Sequence, residues 1–184
     1  MSELNMEFCT PTINCFFEAE GFVLFCEKIN DYINAELQYI EDSERGYPIC
    51  TLGDGIIIHA VHYKTFEEFK QAWNRRKERI NTDNLFGIFL DRDGFTDDLL
   101  PRIKALPFPK VLFAKKNYPG YDFVCVVPGY ENDESVGMLT DFVDIFGNRG
   151  YSLYPFGKVF EKMQLENNKW YYMFSVRFIN SFFY

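Results

Sequence analysis

The sequence predicts a single-domain α/β protein with a mixed, partly parallel sheet covered by helices on both faces. Three observations carry this. The chain has 184 residues, 47% apolar and 25% charged, the balance of one soluble globular domain with enough length for a core of its own. Strand-length apolar runs alternate with helical patterns between residues 56 and 146, and that alternation selects strands laid parallel with helices packed across them. A Gly-rich reversal between residues 47 and 63 adds an antiparallel hairpin to the same fold.

The elements follow in order. From Glu18 to about residue 39, Phe22, Phe25, Cys26, Ile29, Tyr32, Ile33 and Leu37 recur at three- and four-residue spacing, the core-facing stripe of a helix. Residues 47–52 and 56–63 read as strands around Gly53-Asp54-Gly55. Thr65 and Glu68 form a capping box, so a helix should run from there to about Ile80 on the apolar face Phe66, Phe69, Trp73 and Ile80. Residues 85–90 are apolar without a break, as in a strand buried on both faces. Thr96 should cap a short helix reaching about Leu106, residues 110–115 and 121–127 should be further strands, and residues 136–146 a last helix stopped by Gly147. Residues 1–164 form the domain in this reading. Residues 165–184 form a tail or an added edge strand, and 170–184 alone hold eight of the 35 aromatic residues. Such a tail could also drive self-association.

Composition excludes several functions. A net charge of −8, from 27 acids against 19 bases, disfavours non-specific nucleic-acid binding and adsorption to anionic lipid. No run approaches the roughly 20 apolar residues of a membrane span, and the acidic start is unlike a signal peptide. Five cysteines in an odd, unpaired pattern with two histidines argue for free packing thiols in a reducing compartment, so the expectation is a cytoplasmic protein.

Four groups of residues point to chemistry. Asp91-Arg92-Asp93 directly follows the apolar run 85–90. Carboxylates there lie at a strand's carboxyl end, where α/β ligands gather, and two of them one residue apart can share a divalent cation, Mn or Mg, that also grips a diphosphate. The competing reading is ordinary turn chemistry. From Lys64 to Arg79 six bases face three acids; Arg76 and Arg79 are candidates to grip a phosphate or carboxylate, against the plainer reading of a solvated helix face. His59 and His62, three apart in a strand, would point to opposite sides and so would not share a metal; either one could still be a single acid or base, against the plainer reading of a buried, hydrogen-bonded structural histidine. The loop beginning Pro128-Gly129-Tyr130-Glu131 is another strand end that could reach the same place.

Taken together, Tyr47-Pro48, Leu52-Gly53-Asp54, residues 58–63, Trp73-Asn74-Arg75-Arg76-Lys77-Glu78-Arg79-Ile80-Asn81, Asn84-Leu85-Phe86 and Asp91-Arg92-Asp93-Gly94 resemble a bacterial family of unknown activity. It is often labelled exopolysaccharide-biosynthesis protein, domain of unknown function nineteen-nineteen. Thr10-Pro11-Thr12-Ile13-Asn14, Pro128-Gly129-Tyr130-Glu131 and Thr140-Asp141-Phe142 are similar too. The resemblance covers about residues 8 to 160, with the family's usual opening strand and turn expected to be missing. It implies an α/β fold and an association with capsule or exopolysaccharide assembly, and no particular reaction. On it rests the preferred set His62, Trp73, Arg76, Arg79, Asn81, Asp91, Arg92 and Asp93. In that set Asp91 and Asp93 would hold the metal, His62 and Asp91 would be catalytic, and Trp73, Arg76, Arg79, Asn81 and Arg92 would bind a sugar or nucleotide-sugar ligand. The rival expectation is a non-catalytic protein that binds a polysaccharide or an assembly partner.

Overall fold

The computed structural model describes residues 10–139, 141–167 and 172–175. It contains helices α1 (Ala19–Glu27), α2 (Ile29–Tyr32), α3 (Phe66–Lys77), α4 (Leu99–Ala105) and α5 (Phe156–Asn167). Its strands are β1 (Leu37–Asp42), β2 (Pro48–Leu52), β3 (Ile56–His59), β4 (Leu85–Leu90), β5 (Lys110–Ala114), β6 (Val124–Val126) and β7 (Tyr172–Ser175). The α/β single-domain expectation holds, with one refinement. The antiparallel and parallel strands form two separate sheets, β1-β2-β3 and β6-β5-β4-β7, rather than one mixed sheet.

The apolar stripe expected of one long helix is buried throughout, from Phe22 to Leu37, but three elements deliver it. Lys28 leaves helical geometry at φ −125°, ψ 39°, and the chain from Leu37 is captured as a strand by β2, with Leu37 opposite Leu52. Sheet pairing overrides helical periodicity here. The β2–β3 hairpin is as expected, with Gly53 and Gly55 at φ 56° and 115°, a backbone that side chains disfavour. It ends earlier than residue 63. The last rung is Ala60 N–H to the Pro48 carbonyl at 3.0 Å, and Pro48 has no N–H to return. His62 therefore lies in a turn, not a strand.

Thr65 caps α3 by accepting from the Glu68 amide at 3.2 Å, while the Glu68 carboxylate accepts from Lys64 N–H at 3.2 Å. Thr96 does not cap α4 with its side chain; Asp98 stands at that position with no side-chain cap bond. The far end of α4 is closed by Lys110 Nζ, which donates to the carbonyls of Ile103, Lys104 and Leu106.

All four parallel strands run in one direction, with β4 flanked by β5 and β7. Along β4 the side chains alternate between two cores. Leu85 and Phe89 join α1, α3, α4 and the antiparallel sheet, while Phe86, Ile88 and Leu90 join Val136, Leu139, Phe156 and Phe160. The sheet is thus covered on both faces. The second cover was expected from a helix over residues 136–146 but comes from α5 and an irregular chain before it. Residues 136–146 include Val136, Gly137, Thr140, Val143 and Ile145, weak helix formers, and Asp144 turns the chain by accepting from Phe146 and Asn148 N–H, both at 2.8 Å. Residues 172–175 of the aromatic stretch form an edge strand along β4; the other tail positions lie outside the described residues.

Candidate functional site

Among the parallel strands the chain visits β4 first, then β5 and β6 on one side, and finally β7 on the other. The direction of building reverses between β4 and β7, and in open α/β sheets the crevice at such a reversal, beyond the carboxyl ends of the strands, is where ligands bind. Asp91-Arg92-Asp93 is the turn that leaves β4 at this point.

Asp91 is buried, 4% exposed. Its Oδ2 accepts from the Lys115 N–H at the end of β5 and its Oδ1 from the Val136 N–H, each at 2.7 Å. Burial pushes its carboxyl above the usual range, and the two amides pull it part of the way back. Asp91 is therefore a tie between the ends of β4 and β5 and the loop 128–139. The same loop is held by Lys115 Nζ on the carbonyls of Asp133 and Glu134, both at 2.6 Å. Arg92 and Asp93 are the more exposed members of the motif. Arg92 Nε lies 3.3 Å from Asp93 Oδ2, and the side chains are 19% and 16% exposed. Arg92 Nη1 also meets Met138 Sδ at 3.4 Å. Asp93 has φ 53°, a left-handed conformation that aspartate tolerates better than most residues, and its carbonyl accepts from Ala19 N–H at 2.9 Å.

Each oxygen of the Asp91 carboxylate accepts from one backbone amide, the Asp93 carboxylate faces the Arg92 guanidinium, and among the described residues no three His, Cys, Asp or Glu side chains gather as a metal set. Lys116 and Asp97, close by, pair at 3.2 Å, and the Tyr118 hydroxyl donates to Asp97 at 3.0 Å.

The remaining candidates fall into a second group. Arg76 Nη1 donates to the Ile13 carbonyl at 3.1 Å and to the Tyr63 hydroxyl, so it joins α3 to the turn 10–15 and to the turn that carries His62. Trp73 is 1% exposed and packs edge-on against Phe25 and Phe69. It is a core residue and offers a ligand no face to stack on, because the spacing that marked it as a candidate is that of the buried side of α3. His62 and Arg79 are exposed. Asn81 is a turn residue whose Oδ1 accepts from Asp83 N–H at 3.0 Å. By their contacts the candidates fall into two groups, one joining α3 to the turn 10–15 and one at the end of β4. Sequence reasoning missed Tyr63, Lys115, Val136 and Met138. Lys115 follows β5 as Asp91 follows β4, which was a usable signal; the other three carry none. Cys15, Cys26 and Cys50 are buried free thiols whose ionisation burial opposes, Cys50 being pushed up to about 12, as suits packing residues.

A parallel sheet covered on both faces, with an attached antiparallel sheet and an acid–base turn at its switch point, defines an α/β domain. The chain belongs to the family of the domain of unknown function DUF1919, whose model matches residues 1–161. It is also similar to an uncharacterized protein of Haemophilus influenzae (strain ATCC 51907 / DSM 11121 / KW20 / Rd), 30% identical over 161 residues that make up 87% of this chain and 77% of that protein. Among the described residues no helix is long and apolar enough to cross a membrane.

Proposed function

We propose that the protein binds an anionic sugar compound, such as a nucleotide sugar, at the carboxyl end of its parallel sheet, and that it transfers or modifies the sugar in exopolysaccharide or capsule assembly. The observation that carries this reading is the position of Asp91-Arg92-Asp93 where the order of parallel strands reverses. In this reading Asp91 positions the walls of the crevice. Arg92 supplies positive charge to the ligand, and Asp93, an ion-pair neighbour of Arg92 Nε at 3.3 Å, limits where that charge can go. A guanidinium restrained by a neighbouring carboxylate loses less side-chain freedom when an anion arrives. The polysaccharide connection comes from the resemblance alone.

The test is a thermal-shift screen of nucleoside diphosphate sugars with and without manganese, because a ligand that binds only the folded state raises its stability. At least one nucleotide sugar should raise the melting temperature of the native chain, the rise should vanish in Arg92→Gln, and it should persist in Arg79→Gln. A screen without any shift, or a shift undiminished in Arg92→Gln, would overturn the reading; a shift that appears only with manganese would return the carboxylates to the role of metal ligands.

A further inference from the structure

The second group carries an inference of its own. A guanidinium has five N–H donors. In Arg76 the two on Nη1 are used, by the Ile13 carbonyl and the Tyr63 hydroxyl. Nε and Nη2 have no partner among the described residues, and the ion pairs of the described residues engage Arg92, Arg102 and Lys116 but not Arg76. Arg76 is half-buried. A partly desolvated cation with no acid beside it is unusual in a chain of net charge −8, since an acid at such a place would offset the cost of burial. The unused edge is also the one with which arginine grips a carboxylate or a phosphate through two parallel hydrogen bonds.

The surroundings point the same way. Trp73, one helical turn before Arg76 and so on the same side of α3, is 1% exposed and its indole Nε1 has no hydrogen-bond acceptor. Asn14, next to Ile13, has a buried Oδ1 with no donor and is held at φ 64°. Thr10 and Thr12 are buried beside it with their hydroxyls 2.8 Å apart. Tyr63 accepts from Arg76, which leaves its own O–H to donate. Buried polar atoms are satisfied in the great majority of cases, so an orphan donor on α3, an orphan acceptor in the turn 10–15 and an open edge on the guanidinium that links the two point to a place for a polar guest. We propose that the turn 10–15, Tyr63 and Arg76 form an oxyanion pocket that takes a carboxylate or a phosphate group without a metal. Arg76 binds the two oxygens, the Tyr63 hydroxyl donates to one of them, and Asn14 accepts a hydroxyl of the same ligand. The pocket uses none of the residues of the strand-end crevice, so it stands or falls independently of the function proposed above.

The experiment is a titration of the isotope-labelled full-length protein followed by nuclear magnetic resonance at the Arg76 Nε–H and the Trp73 indole N–H. The probes are inorganic phosphate, acetate and glucuronate, with sodium chloride at matched ionic strength as control. The pocket predicts a saturable movement of the Arg76 signal with phosphate or with the carboxylates, and affinity lowered at least about tenfold in Arg76→Lys, which keeps the charge but loses the fork. Saturation by phosphate alone assigns a phosphate ester; saturation by acetate and glucuronate alone assigns a sugar acid. Tyr63→Phe, which keeps the ring against Phe69 and removes the hydroxyl, should also weaken binding. Movement that merely follows ionic strength, or Arg76→Lys and Tyr63→Phe proteins that bind as the native chain does, would overturn the proposal.

Discussion

Asp91→Ala is the substitution whose outcome the structure defines most sharply. It removes the acceptor of two backbone N–H groups, those of Lys115 and Val136, and Val136 is fully buried. A buried donor left unsatisfied costs about 1–3 kcal/mol, so the two together cost about 2–6 kcal/mol. Against this stands the relief of no longer burying a carboxylate, whose raised pKa shows that its charge is not fully compensated. A net loss of about 2–4 kcal/mol remains, which for a domain of this size lowers the melting temperature by roughly 4–16 °C. Urea unfolding followed by circular dichroism measures it. The pH dependence supplies a second reading of the same carboxyl. Because the folded-state pKa is raised, the folded protein holds the proton where the unfolded chain has lost it. The native chain should therefore lose stability relative to Asp91→Asn as pH rises from the ordinary aspartate value, about 4, through the raised one, and the difference should level off above it. A stability within about 0.5 kcal/mol of the native chain for Asp91→Ala, the range of an ordinary surface substitution, would refute the role of Asp91 as a tie. So would a native-minus-Asn difference that rises with pH through this window.

Two further outcomes follow from the geometry. A methyl group at Gly150 would stand 2.7 Å from the Leu139 carbonyl oxygen, whereas one at Gly137 would meet only the far end of the Tyr130 ring, which can swing away. Gly150→Ala should cost about 2–3 kcal/mol and Gly137→Ala about 1 kcal/mol or less, an order that denaturant unfolding of the two variants checks. Arg102 grips Glu27 with two hydrogen bonds of 2.9 Å, and these hold the Glu27 carboxyl below its usual pKa. The associated stability is present above the ordinary glutamate pKa and is lost as pH falls through the depressed one. Glu27→Gln should thus lower stability at pH 7 by less than about 1 kcal/mol, as expected of a largely exposed pair. Unfolding curves at pH 7 and pH 3 should show that difference shrinking in acid.

Much of the fold was legible because burial imposes local patterns. The stripe from Phe22 to Leu37, the unbroken run Leu85–Leu90 and the glycines of the β2–β3 turn all mark what they become. The errors share a cause. Whether Leu37 ends a helix or begins a strand is decided by its β2 partner Leu52, fifteen residues further on, and the helical pattern of residues 136–146 gives way to the contacts of Asp91, Gly150 and Asp144. The spacing of Phe156, Val159 and Phe160 is that of the helix α5. The candidate site was legible as a motif and not as a geometry. Asp91-Arg92-Asp93 was found at a strand end, yet its three members have three roles, and only the partners of each carboxylate reveal which.

By itself the sequence determined the class of protein: one α/β domain with an aromatic core, free thiols and ordered motifs that place it in its family, because composition, periodicity and turn chemistry act over a few residues. Tertiary structure alone decided that β7 joins β4 and so creates the switch point. It likewise decided that Asp91 is occupied by Lys115 and Val136, and that Arg76 meets Ile13 and Tyr63 with one edge left open. These are contacts between segments up to 87 residues apart, and a hydrogen bond between distant segments leaves no mark in the local pattern of either one.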